Sequence, residues 1–154
     1  MITLAAPEAA ERLLRAQLVG RIGCHVLGRT HVALVPYLYE QGAILLCVEP
    51  GLELRMMRLN PSVCFEVDDT DTLPWASLAV SAEFRELAGA EAEDARARLF
   101  AELGRRVEER HGADSARDHA PRWARGVVAR LEIVQRRGSS VRPAGAPARH
   151  ASAA

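Results

Sequence analysis

The chain has 154 residues, of which 49% are hydrophobic and 26% charged, enough to bury one core and in keeping with a single soluble globular domain. Twenty basic and twenty acidic side chains cancel and the pI is near 7.0, so net charge makes no case for nucleic acid or an anionic membrane surface as partner. No apolar run approaches the ~20 residues that span a bilayer, and the N-terminus has neither a basic start nor a cleavable signal pattern, so a cytoplasmic protein is expected.

Two further features of composition narrow the chemistry. Every basic residue is Arg, which removes Schiff-base lysine chemistry and leaves Arg, hydroxyls and backbone amides to hold any phosphate. Cys24, Cys47 and Cys64 are odd in number, widely spaced and each set in an apolar run; buried, reduced thiols are expected rather than a zinc site.

In chain order, residues 7–18 are predicted as a helix, with Pro7 near its first turn, Ala10, Leu13, Leu14 and Leu18 on one stripe, and Glu8 and Glu11 at its positive end. Residues 20–27 and 30–39 read as an antiparallel hairpin turning at Gly28-Arg29, and Glu40-Gln41-Gly42 makes the next turn. His25 and His31 fall on adjacent strands of that hairpin with no third metal ligand in view, and read as ordinary strand histidines. A third strand over residues 43–48 is apolar throughout, the pattern of a strand covered on both faces.

After a turn at Pro50-Gly51, residues 52–59 form a short helix with Leu52, Met56 and Leu59 on one face and Glu53, Arg55 and Arg58 elsewhere. Pro61 has no amide hydrogen and its ring forces Asn60 out of the helical region, so the helix stops there. Residues 63–67 are the fourth strand. The acidic stretch that follows, residues 68–72 up to Pro74, lacks the Gly and distal Glu of a calcium loop and reads as solvated, with no metal site expected.

Residues 75–87 form a long fifth strand, with Leu78, Val80, Ala82 and Phe84 on one face and Ala79, Ser81, Glu83 and Arg85 on the other; such length implies curvature around a barrel. The longest helix spans residues 90–110, with Ala92, Ala95, Leu99, Leu103 and Val107 as its apolar stripe and Gly112 past its end. A polar connector over residues 111–123 leads to a sixth strand at residues 127–134. The domain is expected to occupy residues 1–137, and residues 138–154, rich in Ala, Pro, Ser, Gly and Arg, to form a disordered tail.

The expected fold is thus mainly β with flanking helices, a six-stranded antiparallel barrel. Gly20-Arg21-Ile22-Gly23, Leu34-Val35-Pro36-Tyr37-Leu38-Tyr39 and Asn60-Pro61-Ser62-Val63-Cys64-Phe65-Glu66-Val67-Asp68, in this order around a short helix, resemble the FMN-binding split-barrel family of pyridoxamine 5'-phosphate oxidases and nitroimidazole-resistance-related flavin proteins. The resemblance implies a split β-barrel, a homodimer with a flavin in each groove between subunits, and oxidation or reduction of a small molecule. In such proteins the strand end before the short helix, and the helix start, hold the cofactor phosphate with His or Thr, Ser, and Lys. Here those positions carry Cys47, Val48 and Glu53.

The candidate cofactor site comprises Leu34, Val35 and Pro36, where Pro36 withdraws one ladder donor and forces an edge or bulge. Cys47 and Val48 lie at the strand end, and Arg55 and Arg58 are suited to bidentate phosphate contacts. Trp75 and Ser77, at the start of the fifth strand, complete the set. FMN is the first expectation for the cofactor. A dimer that has lost tight FMN binding and takes a deazaflavin, haem or another small ligand, or serves as a regulatory partner, is the alternative.

Overall fold

The computed structural model describes residues 2–4, 7–71, 75–112 and 125–141. Its elements are β1 (Ile2–Leu4), α1 (Pro7–Ala16), β2 (Val19–Val26), β3 (Arg29–Glu40), β4 (Ala43–Val48), α2 (Leu52–Leu59), β5 (Ser62–Asp69), β6 (Trp75–Glu86), α3 (Gly89–His111) and β7 (Val127–Val141). Six strands close an antiparallel barrel in the order β7, β4, β3, β2, β5, β6, with β6 returning to β7, and the short β1 adds to β7 outside that ring.

Alternation fills the barrel. Ile22 and Cys24 of β2, Val63, Phe65 and Val67 of β5, and Leu78, Val80, Ala82 and Phe84 of β6 all point inward into one cluster. The same alternation corrects the reading of Cys64, which faces out between inward Val63 and Phe65 and is exposed, whereas Cys24 and Cys47 are buried. Strand β4 is buried at all six positions for the reason its composition suggested. Ile44, Leu46 and Val48 face the barrel, while Leu45 and Cys47 pack outward against Ala95, Leu99 and Leu103 of α3.

Two hairpin turns differ in detail from expectation. The first is made by Leu27-Gly28, with φ of 49° and 77°, not by Gly28-Arg29, because Arg29 already pairs with Val26. The second, Gln41-Gly42, has φ of 48° and 77°. Both put positive φ at two successive residues, the twist that suits a two-residue hairpin.

Strand β7 runs past Val134 to Val141, paired with β6 along most of its length and interrupted by a register shift opposite Ser81 and Ala82 that leaves Val134 without a partner in the ladder. It therefore enters the stretch expected as tail; residues 142–154, most of the connector expected over residues 111–123 and the end of the acidic loop at Pro74 lie outside the described residues.

In α2 the buried side chains are Leu54, Met56 and Met57, while Leu52 and Leu59 are exposed, which corrects the expected stripe. The helix has two apolar arcs, and the barrel mouth at β2 and β3 takes the one centred on Leu54 and Met57. Asn60 fixes the exit: its amide donates to the His25 carbonyl at 2.8 Å and its Oδ1 accepts from the Ser62 amide at 3.2 Å.

Helix α1 is held at both ends by arginines. At its C-terminus, Arg106 donates to the carbonyls of Arg15, Ala16 and Gln17 at 2.7, 2.8 and 3.1 Å, satisfying groups the helix leaves unpaired. Nearer its start, Arg136 of β7 donates to the Tyr39 hydroxyl at 2.8 Å and to Glu11 at 3.3 Å. Beneath the helix, buried Tyr37 donates its hydroxyl to the Leu14 carbonyl at 2.7 Å and meets Phe65 edge-on, with ring centroids 4.9 Å apart.

Phe65 in turn lies over Gly20, where an added Cβ would stand 2.2 Å from its ring. Gly20→Ala is expected to lower unfolding free energy by about 3 kcal/mol, the upper end for an overpacked core. Tyr37→Phe should cost about 1 kcal/mol through the lost bond to Leu14. Chemical denaturation followed by Trp fluorescence measures both; a Gly20→Ala chain as stable as its parent would contradict the Gly20–Phe65 packing.

Candidate functional site

The barrel is split where β3 leaves β4. Their ladder runs only from Glu40 opposite Ala43 to Tyr37 opposite Leu46. Pro36 has no amide hydrogen to continue it, and the Tyr37 amide donates to the Leu18 carbonyl at 3.1 Å. From there β3 stays with β2, Val19 opposite Pro36, while Cys47 and Val48 go to β7 opposite Val128 and Val127. The chain then reverses through Pro50-Gly51, and α2 starts in the gap.

This divergence leaves a cavity of about 290 Å³ between β3, the end of β4 and the first turn of α2. Leu34, Val35, Pro36, Cys47 and Val48 line it, so five of the nine residues chosen from sequence meet there. Ile22 and Ala33 extend its apolar wall, and Glu49 and Glu53 make its rim; none of the described residues that line it is cationic.

Glu53 is held in place by His31, whose Nε2 lies 2.8 Å from the Glu53 carboxylate. Glu53's own backbone amide, with His31, keeps its carboxyl below the usual range. It is therefore an anion at neutral pH. Cys47 is buried beneath α3, and burial pushes its thiol up even though Arg96 lies 3.9 Å from the sulfur. Arg96 also donates to the Gly126 carbonyl at 2.7 Å. Gly126 closes on this corner so tightly that an added Cβ would lie 2.6 Å from the Cys47 sulfur and 2.7 Å from the Val48 carbonyl oxygen.

The other four chosen residues lie elsewhere. Arg58 points along β6, where its Nε and Nη2 bind Glu86 at 2.5 and 3.0 Å. Arg55 lines a separate cavity at the tip of the β2–β3 hairpin. Ser77 donates to Glu66 at 3.2 Å on β5, and Trp75 is half exposed at the start of β6. Sequence reasoning missed Glu49, Ala33 and the His31–Glu53 pair. The hairpin register held that last signal: Cys24 opposite His31 puts the imidazole on the barrel face, at the mouth α2 closes.

Against a flavin, these residues fit in part. The slot at residues 33–36, apolar and bordered by a strand edge with no strand partner on the β4 side, suits the rim of a flat heteroaromatic ring. A terminal phosphate monoester, carrying nearly two negative charges at neutral pH, does not suit a rim of two carboxylates with no cation among the described lining residues.

The profile of the pyridoxamine 5'-phosphate oxidase family matches residues 6–139. Among curated proteins none matches the chain significantly. An FAD-binding protein from Mesorhizobium loti is similar in structure with a TM-score of 0.74 and 24% identity, over 92% of this chain and 99% of that one. An FAD-binding protein from Mycobacterium smegmatis gives a TM-score of 0.63 at 19% identity, over 92% of this chain and all of the other. A heme-binding protein from the same organism gives 0.62 at 20%, with 87% of this chain matching 55% of a longer one. At these identities the structural likenesses speak for the fold, and the family rests on the profile: the chain belongs to the pyridoxamine 5'-phosphate oxidase-like family of split β-barrel proteins.

Proposed function

We propose that the chain is a flavin-binding oxidoreductase that seats the flavin ring in the split between β3 and β4, and that it takes FAD in preference to FMN. The observation that carries this is the pairing of an apolar slot with an acidic rim in one cavity. FMN would put a doubly charged phosphate beside Glu49 and Glu53, whereas each phosphate of FAD carries a single charge and continues into a chain able to leave the rim. Two proteins with the same fold are FAD-binding proteins.

A bound flavin would supply electron transfer to or from a small molecule. The chain's part is to exclude water from the ring along Ile22, Val35 and Val48, and to keep phosphate charge away from the rim. A homodimer is part of the same proposal. Val19, Val32 and Leu34 are exposed on the outer face of β2 and β3, and Leu34 also lines the cavity, so a second barrel against that face would close the slot over the ring.

Titration of the purified chain with FAD and with FMN, followed by equilibrium dialysis and flavin absorption, is expected to show one flavin per chain, with FAD at least about tenfold tighter, equivalent to about 1.4 kcal/mol. Binding of haem with neither flavin bound would overturn the proposal. Glu53→Lys is expected to tighten FMN by about tenfold by replacing a repulsive charge with an attractive one. Unchanged FMN affinity in that variant would mean that the phosphate does not approach the start of α2.

A further inference from the structure

A second cavity, of about 800 Å³, opens between the β2–β3 hairpin tip and the outer arc of α2, within the size range of small-molecule sites. No described residue lines both it and the split. Leu27, Leu52 and Leu59 wall it together with buried Met56, and Arg29 and Arg55 are its cations. Among the described residues no carboxylate lines it, and no Phe, Tyr or Trp.

Neither guanidinium has a hydrogen-bond or ion-pair partner among the described residues. Arg58, on the same helix as Arg55, is by contrast taken by Glu86 through two bonds of 2.5 and 3.0 Å. The neutral polar side chains of the cavity are engaged as well. Thr30 Oγ1 lies 3.0 Å from His25 Nδ1, and His31 Nε2 lies 2.8 Å from the carboxylate of Glu53, which lines the split instead. What the protein leaves unmatched there is positive charge alone.

Apolar surface is unmatched in the same place. Leu27, Leu52 and Leu59 are 95%, 49% and 75% exposed. Leu27 is the least expected of them. It stands at φ of 49° in a two-residue turn where Asn would be at ease, and it adds nothing to the core, so neither backbone nor packing requires a leucine. These leucines line a hollow, which suits a ligand that enters it better than a flat membrane surface. With no aromatic side chain to stack on among the described residues, the walls suit an aliphatic body better than a heterocyclic base.

We propose that this cavity binds a small amphiphile with an aliphatic body and one carboxylate head, the chemistry of a medium-chain fatty acid. Arg29 and Arg55 hold the carboxylate, and the leucines and Met56 surround the chain. A guanidinium fork pairs with a carboxylate through two parallel bonds, and unbranched Met adapts to a flexible chain. The site does not require a flavin in the split and stands or falls separately from it.

The test is isothermal titration of the full chain with decanoate below its micelle concentration, with decyltrimethylammonium as the cationic counterpart and acetate as the head without the chain. One decanoate per chain is expected to bind saturably, with the other two probes at least about tenfold weaker. Arg29→Gln/Arg55→Gln is expected to weaken decanoate about tenfold or more, the scale of a charge-assisted contact. Leu27→Asn is expected to weaken it about tenfold through lost apolar burial. Asn favours the turn, so an unchanged melting temperature in that variant separates lost binding from lost folding.

Absence of saturable decanoate binding, equal binding of the cation, or variants that bind as the parent does overturns the proposal. A parent dimer that Leu27→Asn dissociates in sedimentation, with no decanoate bound, would give the groove to a second copy. Association with phosphatidylglycerol vesicles that the same change abolishes, again with no free decanoate bound, would give it to a membrane. Either result overturns the ligand site.

Discussion

Everything at the site depends on β3 changing its strand partner part-way along its length. A closed barrel satisfies its backbone by giving strands partners on both sides, but β3 pairs with β2 over residues 29–36 and with β4 only over the last four of its twelve residues, 37–40. Pro36 sits where pairing passes from β2 to β4, and its missing amide makes that a cheap place for β3 and β4 to separate, since one ladder donor is absent already. The gap has to be filled, and α2, which reaches the barrel through Leu54 and Met57, fills its mouth without filling its wall. What remains is a slot with one rigid side, because residues 29–36 stay fully paired to β2.

The surroundings keep that slot open. Helix α3 covers the outer face of β4, so Leu45 and Cys47 belong to a core of their own and the strand end cannot drift toward β3 to close the gap. Gly126, just before β7, and Arg96 of α3 fix the same corner. The long helix that supplies no lining residue thus determines the width of the cavity.

Much of this was legible in the chain. Strand β4 declared its double burial by having no polar residue, and the 52–59 helix was bounded by Pro50-Gly51 and Asn60-Pro61, whose effects are steric and local. Pro36 marked the split for the same reason. Other features depend on partners far away in sequence. Strands β1 and the end of β7 exist because each finds a ladder partner, although Gly138-Ser139-Ser140 has little strand preference of its own. The buried arc of α2 could not be chosen from periodicity, because Leu52, Met56 and Leu59 repeat as well as Leu54 and Met57 do; the depth of the barrel mouth decided. Arg55 and Arg58 looked equivalent for the same reason, and only the position of Glu86 separates them.

The three positions that the sequence resemblance places at a cofactor phosphate carry side chains ill suited to one. Cys47 turns under α3 and is packed against Gly126, where a larger polar side chain would need both room and a partner. Val48 faces the barrel core and offers no donor. Glu53 brings a charge of the wrong sign for phosphate, and His31 steadies it there.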